Sequence, residues 1–263
     1  MRALPTTAAR GSDLIELSKL QLGDERITIR QLLNHTSGVF DWPTDPQSPF
    51  ITPYREIEHA RVWTQDDVLD ELAREPYFAP GQGWHYSTTN DNLLKIIAER
   101  LTGTTALLEM QRRFLGPLGL HTLALDVNDP IPPYLERVYS WIVHGDGERQ
   151  DISGDSEAWI RSMSPHVMVA SALDLAKWCQ ALYGGRVLSE ASLKDMLDFH
   201  RSTPDEPPVT GYGLGIEEIA VARLLQSYGH LGYHCGTMSA MLYLPKLKAS
   251  LVVLANENNH SLQ

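Results

Sequence analysis

Cysteine is nearly absent from this chain: 263 residues hold two, Cys179 and Cys235, far apart and neither in a C-x-x-C pair. That spacing supports neither a disulfide framework nor a thiolate metal site, and it leaves two isolated thiols. Long apolar runs are missing as well. No stretch approaches the roughly 18 to 20 residues that a membrane-spanning helix needs, and residues 1 to 18 lack the apolar core of a signal peptide. The cellular compartment therefore stays open. Basic charge is scarce too, with 22 Lys and Arg against 33 Asp and Glu and a formal net charge of -11. Phosphates are neutralised by an excess of Lys and Arg, so nucleic acid is excluded as an expected partner.

What is present is ordinary for a globular protein: 43% apolar and 21% charged residues. A chain of this length buries roughly 75% of its unfolded surface and folds without staples. No internal repeat or low-complexity tract interrupts it. Its character does change along the way. Signals from Thr28 to Phe199 are mostly helical, and from Gly211 onward they turn to strands, which predicts an α+β arrangement in a single domain over 1–263. The helical region runs from about 24 to 200 and the antiparallel sheet region from about 205 to 257.

Caps and apolar spacing agree in the helical part. Thr28 with Gln31 makes a capping box before Leu32 and Leu33, and Thr64 with Asp67 and Ser171 with Asp174 repeat the pattern. Leu175, Trp178, Cys179 and Leu182 then fall on one buried stripe, with Gly184 and Gly185 at its stop, so Cys179 is expected to pack rather than react. Leu93, Leu94, Ile96, Ile97 and Leu101 predict another helix, ended by Gly103. Phe40–Val62 and Asn128–Trp159 are long, aromatic and punctuated by Pro or Gly, and are expected to form walls or lids of a cleft. Toward the C-terminal end, Tyr212–Ile219 and Leu224–Gly229 read as a strand pair. Thr237–Leu244 and Ala249–Ala255 read as a hairpin turning at Pro245 to Lys248.

Several catalytic classes leave no trace. There is no G-x-S-x-G elbow, no G-x-x-x-x-G-K-[ST] phosphate loop and no H-E-x-x-H zinc helix. Gly211, Gly213 and Gly215 have the wrong spacing for a nucleotide loop. His230 and His234 are four apart, but Gly232 and Gly236 argue against the helix that would face both imidazoles toward a metal. No metal site is expected.

Two other segments carry more. Pro80, Gly81, Tyr86, Ser87, Thr88, Thr89 and Asn90 precede a long helix, while Gly229, His230, Leu231 and Gly232 precede the hairpin. With Ile27–Gly38 upstream (Ile-Thr-Ile-Arg-Gln-Leu-Leu-Asn-His-Thr-Ser-Gly), this ordered set resembles the class C β-lactamase-like, or penicillin-recognising, serine hydrolases. That family includes D-alanyl-D-alanine carboxypeptidases, D-aminopeptidases and esterases. Supporting matches fall at Gly116–Thr122, Met168–Val187, Tyr212–Gly215 and Val252–Asn256, so the resemblance spans about Gly23 to Asn256.

The resemblance implies a β-lactamase/transpeptidase-like fold, acyl-enzyme chemistry on amide, ester or β-lactam bonds, no cofactor, and a small-molecule or peptide substrate. It implies that Tyr86 is the tyrosine of a Y-x-N motif, with Thr88 at the asparagine's place. His230, Leu231 and Gly232 then match the family's K-T-G or H-x-G strand. Catalytic roles fall to Tyr86 and His230, and substrate-binding roles to Thr88, Gly232 and the Tyr233 N–H, a candidate oxyanion donor. A phenol titrates near pH 10, so Tyr86 acts as a base only beside cations that stabilise its phenolate. Family members are often periplasmic or extracellular.

Three departures qualify that expectation. Thr88 offers one hydroxyl where an amide would offer donor and acceptor. No serine of the chain has a lysine three residues on, so the S-x-x-K nucleophile motif is absent from it. Chain shortening at the N-terminus, with the first strands and the nucleophile helix missing, is the expected cause; a non-catalytic binding remnant is the alternative. Ser37 or Ser87 as replacement nucleophile is a weaker one. The chain also ends soon after its last strand, where the family adds a helix, and the exposed sheet edge is expected to favour self-association.

Overall fold

The computed structural model describes residues 26–42, 45, 74–122, 141–143, 148–151, 168–200, 208–221, 225–234 and 236–259. The segment around Thr64, residues 46–62, most of 128–159, and Cys235 lie outside the described residues.

Helix α1 (Ile29–Leu33) begins at the Thr28 capping box, with both reciprocal bonds formed. Such a box stabilises a helix start by about 1 kcal/mol, which matters for five residues that cannot nucleate alone. The α1 residue Leu32 closes a core with Ile27, Val39, Leu93 and Ile97, the last two from α2 (Thr88–Thr102). Gly103 ends α2 in the left-handed region, at φ 68°.

The N-terminus of α2 departs from the usual pattern. Ser87 stands at the cap but makes no side-chain cap bond; its hydroxyl donates to the Phe40 carbonyl at 3.3 Å instead. The Asp41 carboxylate supplies the acceptor, taking the Thr88 N–H at 2.7 Å, where the helix dipole favours negative charge. Beyond α2, α3 (Ala106–Met110) runs through a π-helical turn at Gln111–Leu115 into α4 (Gly116–Leu118).

The region read as helical also contains two strands. β1 (Trp141–Val143) pairs antiparallel with β2 (Arg149–Asp151). β1 also pairs, in parallel, with a strand near the C-terminal end, β8 (Glu257–Asn259). Three-residue strands joined across such a sequence separation leave no local signal.

Helix α5 (Ala172–Tyr183) starts where expected, but only half of its capping box forms. Ser171 accepts the Asp174 N–H, while the Asp174 carboxylate turns away to Thr122 and Lys177. Its apolar stripe places Cys179 and Leu182 in a core with Tyr183 and Ile216, and burial pushes the Cys179 thiol up, as suits a packing residue. Gly185, at φ 74°, takes the left-handed stop. Helix α6 (Glu190–Met196) follows.

The main sheet runs β3 (Val209–Tyr212), β4 (Glu217–Val221), β5 (Leu225–His234), β6 (Thr237–Leu244) and β7 (Ala249–Ala255), antiparallel throughout and in sequence order. The β6–β7 hairpin matches its expectation residue for residue. Tyr212–Ile219 does not form one strand: a turn at Gly213–Ile216 divides it between β3 and β4. That turn is held from outside, because the Gly215 N–H donates to the Leu33 carbonyl at 2.8 Å and the Leu214 N–H to the Met196 carbonyl at 3.0 Å. Tertiary bonds override the β-rich pattern. They also stitch the hairpin tip to α1 and α6, fixing how the sheet meets the helices.

Candidate active site

The candidate site is built from three stretches of chain. The residues after α1 turn sharply, His35 adopting φ 58°, and run beside the segment that leads into α2. Backbone bonds knit the two: His85 N–H to the His35 carbonyl at 3.1 Å, Gly81 N–H to Thr36 at 2.8 Å and Tyr77 N–H to Gly38 at 2.8 Å. At Gly38, with φ 80°, an added Cβ would meet the Phe78 carbonyl oxygen at 2.0 Å, so only glycine admits this approach. The Ser37 hydroxyl donates to Asn90 Oδ1 at 2.6 Å, and the Thr89 hydroxyl donates to the Phe40 carbonyl at 2.7 Å. Two motif segments that the sequence separates are thus one unit, which presents Tyr86 to the sheet.

From the sheet comes β5. Its pairing with β4 stops at Glu217 opposite Gly229, while its pairing with β6 continues to His234 opposite Thr237. Residues 230 to 234 therefore run past the end of β4. The Leu231 N–H points to that edge and donates to the Glu217 carboxylate at 2.7 Å. By strand alternation the Tyr233 N–H points the same way.

Tyr86 and His230 meet where these stretches come together, with ring centroids 6.1 Å apart. His35 lies behind Tyr86 at 4.3 Å, and Tyr212 lies 6.0 Å from Tyr86 and 5.8 Å from His230. No hydrogen bond joins the Tyr86 hydroxyl to another described residue. Among the described residues the charges acting on it are carboxylates: burial, then Asp91, Asp41 and Glu217, push its phenol far above the ordinary tyrosine range. In these surroundings Tyr86 is a neutral phenol, able to donate a hydrogen bond but not to accept a proton.

The remaining expected residues fall as follows. Thr88 opens α2 beside Tyr86 and is buried, its N–H held by Asp41. Tyr233 is half-exposed at the strand edge. At Gly232 an added Cβ would lie 2.3 Å from Ser239 Oγ, so the glycine makes room for its β6 neighbour. Ser37 and Ser87 are fully buried with their hydroxyls donating to Asn90 and Phe40, which removes both as replacement nucleophiles. The His234 side chain lies outside the described residues. Among the described residues no group of three or more His, Cys, Asp or Glu is placed to hold a metal, and no helix is long and apolar enough to cross a membrane.

Sequence reasoning missed Tyr212, Asp41, Asp91 and Glu217. Tyr212 appeared only as the first residue of a matching run, and no spacing marks three carboxylates that converge from 41, 91 and 217.

A helical part set against an antiparallel sheet, with a tyrosine and a histidine facing across the junction, is the β-lactamase/transpeptidase-like fold. Solved structures share it. A D-stereospecific amidohydrolase from Streptomyces sp. matches with TM-score 0.72 and 26% identity over 89% of this chain and 69% of its own. The D-amino acid amidase from Ochrobactrum anthropi SV3, complexed with D-phenylalanine, matches with TM-score 0.76 and 23% identity over 93% and 70%. Residues 13–262 match the family described as Beta-lactamase, and the chain belongs to that family. Penicillin-binding protein 4* of Bacillus subtilis (strain 168) is 24% identical over 241 residues, which are 88% of this chain and 51% of that protein. Lovastatin esterase of Penicillium rubens is 27% identical over 191 residues, 66% of this chain and 44% of the esterase. The chain thus spans about half the length of the curated relatives it matches.

Proposed function

We propose that the junction at Tyr86 and His230 is the carbonyl-recognition part of a serine-hydrolase site for amide, ester or β-lactam bonds. The nucleophilic serine and its lysine are not supplied by these 263 residues. The observation that carries the reading is the approach of the two rings to 6.1 Å beside the stretch of β5 that runs past the end of β4. A carbonyl laid along β5 would meet the Tyr233 N–H, one half of an oxyanion hole whose other half is the nucleophile's own N–H. The neutral Tyr86 phenol would donate to the substrate or its leaving atom. It would become a base only if a cation, the role the family gives to the lysine of S-x-x-K, offset the surrounding carboxylates.

Without the serine, catalysis falls to the residual of roughly 10³ to 10⁴-fold over water that binding and an oxyanion hole provide, and half of that hole is missing too. The chain by itself therefore binds acyl compounds reversibly. Fluorescence anisotropy with a fluorescent penicillin should show saturable binding, weakened at least tenfold in His230→Ala. Denaturation should release all of it, with no mass adduct from the penicillin or a fluorophosphonate. An adduct that survives denaturation, or an absence of binding, would sink the reading.

A further inference from the structure

Tyr212 is 3% exposed and stands between two imidazoles. Its hydroxyl lies 3.1 Å from His35 Nε2 and 3.0 Å from His230 Nε2. A phenol has one proton to give, so it donates to one ring and accepts from the other. Both ends of the series settle which.

At the His35 end, the Ser87 backbone N–H points at Nδ1 from 3.3 Å. The Asn90 side-chain nitrogen is 2.9 Å from the same atom, while Asn90 Oδ1 is occupied by the Ser37 hydroxyl. A backbone N–H only donates, so His35 Nδ1 is the acceptor and the neutral ring carries its proton on Nε2, aimed at Tyr212. At the other end, His230 Nδ1 faces the Leu231 carbonyl. A carbonyl only accepts, so Nδ1 carries the His230 proton and Nε2 is a lone pair, which takes the Tyr212 proton. Every bond from Ser87 and Asn90 to Leu231 then runs in one direction, with no donor facing a donor.

We propose that Tyr212, oriented by His35, is a positioning residue that holds His230 as the neutral Nδ1–H tautomer with its ring turned toward Tyr86. The role at the site rests on the reading of His230 given above; the tautomer itself does not. Burial, followed by Tyr86, Asp91 and Glu217, keeps the Tyr212 phenol protonated far above the ordinary range, so the donor to His230 is present across all working pH. His35 occupies the left-handed region, a conformation unfavourable for a residue with a β-carbon that persists where surrounding bonds fix it. Without the Tyr212 hydroxyl, the ionisable group left near His230 Nε2 among the described residues is Glu217 Oε1, at 4.0 Å. Glu217 at Nε2 and the Leu231 carbonyl at Nδ1 then compete for the one imidazole proton, so Nε2 gains a share of it that the Tyr212 donor had denied.

Long-range proton–nitrogen correlation spectra of the full chain with ¹⁵N-labelled histidine test this, with His35 and His230 assigned by their disappearance in His35→Gln and His230→Gln. In the unaltered protein His230 should show a protonated Nδ1 and a pyridine-like Nε2, and His35 the reverse. Tyr212→Phe, which keeps the ring, should move the His230 Nε2 resonance toward the protonated, pyrrole-like range. A merely structural tyrosine would lower stability and leave the tautomer as it was. Should that variant not fold, 3-fluorotyrosine incorporated at position 212 strengthens the phenol as a donor and should shift His230 Nε2 without moving its proton. A proton on His230 Nε2 in the unaltered protein, or nitrogen shifts indifferent to both changes, overturns the assignment. Failure of penicillin binding with these tautomers intact would remove the proposed function and leave the positioning role standing.

Discussion

Burial near the Asp41 carboxylate raises the Asp91 carboxyl to about 7, burial being the larger cause. The unfolded chain releases that proton near pH 4, so between about pH 4 and 7 the folded protein holds a proton that the unfolded one has lost. Stability from this group therefore falls as pH rises through that window, and above it the folded state carries a poorly solvated charge beside Tyr86. Asp91→Asn is expected to stabilise the protein at pH 8 by on the order of 2 to 4 kcal/mol and to change little below pH 4. Urea midpoints at the two pH values check it; an equal effect at both would contradict the burial account. The residue scale was also the least legible in the sequence. Tyr86 and His230, whose rings the fold brings within 6.1 Å, could be singled out because each sits in a motif of fixed order. Asp41, Asp91, Glu217 and Tyr212 act through contacts that only the folded chain creates, and nothing local distinguishes Asp41 as the cap of a helix far along the chain.

At the scale of elements, β5 carries His230 and tolerates change unevenly along its length. A Cβ at Gly229 would lie 1.8 Å from the Met241 backbone oxygen, whereas at Gly232 it would meet the Ser239 hydroxyl, which can rotate aside. Gly229→Ala should destabilise the protein by about 2 to 4 kcal/mol and Gly232→Ala by about 1 kcal/mol or less, read from urea unfolding at constant slope. Equal costs would show that the β6 backbone yields where the argument holds it rigid. Elements were readable wherever capping chemistry and apolar period coincided, as at α1, α2 and α5, and wherever a turn was flanked by β-branched runs, as at β6–β7. They were misread where a distant partner decides. Tyr212–Ile219 is β-rich throughout and turns only because Leu33 and Met196 hold its tip, and β1 gains its strand form from β2 and β8.

For the whole molecule, the exposed side of the sheet is the feature to weigh. Helix α5 lies across β6 and β7 on one side, yet Leu251, Val253 and Leu254 remain 43%, 52% and 43% exposed on β7, an edge strand among the described residues. An apolar edge strand invites pairing with a second copy of itself, against which a net charge of -11 acts through long-range repulsion. Sedimentation velocity should accordingly show association that grows with protein concentration and with salt, and that Val253→Lys reduces. A sharp monomer peak at all salt concentrations would count against it. The general plan, helices set beside an antiparallel sheet, was legible from composition shifting along the chain. How the two parts join was not, and the join has a consequence for sequence drift. Surface hairpins usually accept an inserted residue, but the tip at Leu214 and Gly215 has no slack, since both amides are committed to neighbouring helices and Tyr212 follows from where they land. One extra glycine there would part the two walls and let His230 turn, so length is held at this turn as firmly as residue type, which Gly213 owes to the Met196 carbonyl 2.2 Å from where its Cβ would stand and Gly215 to its φ of 71°.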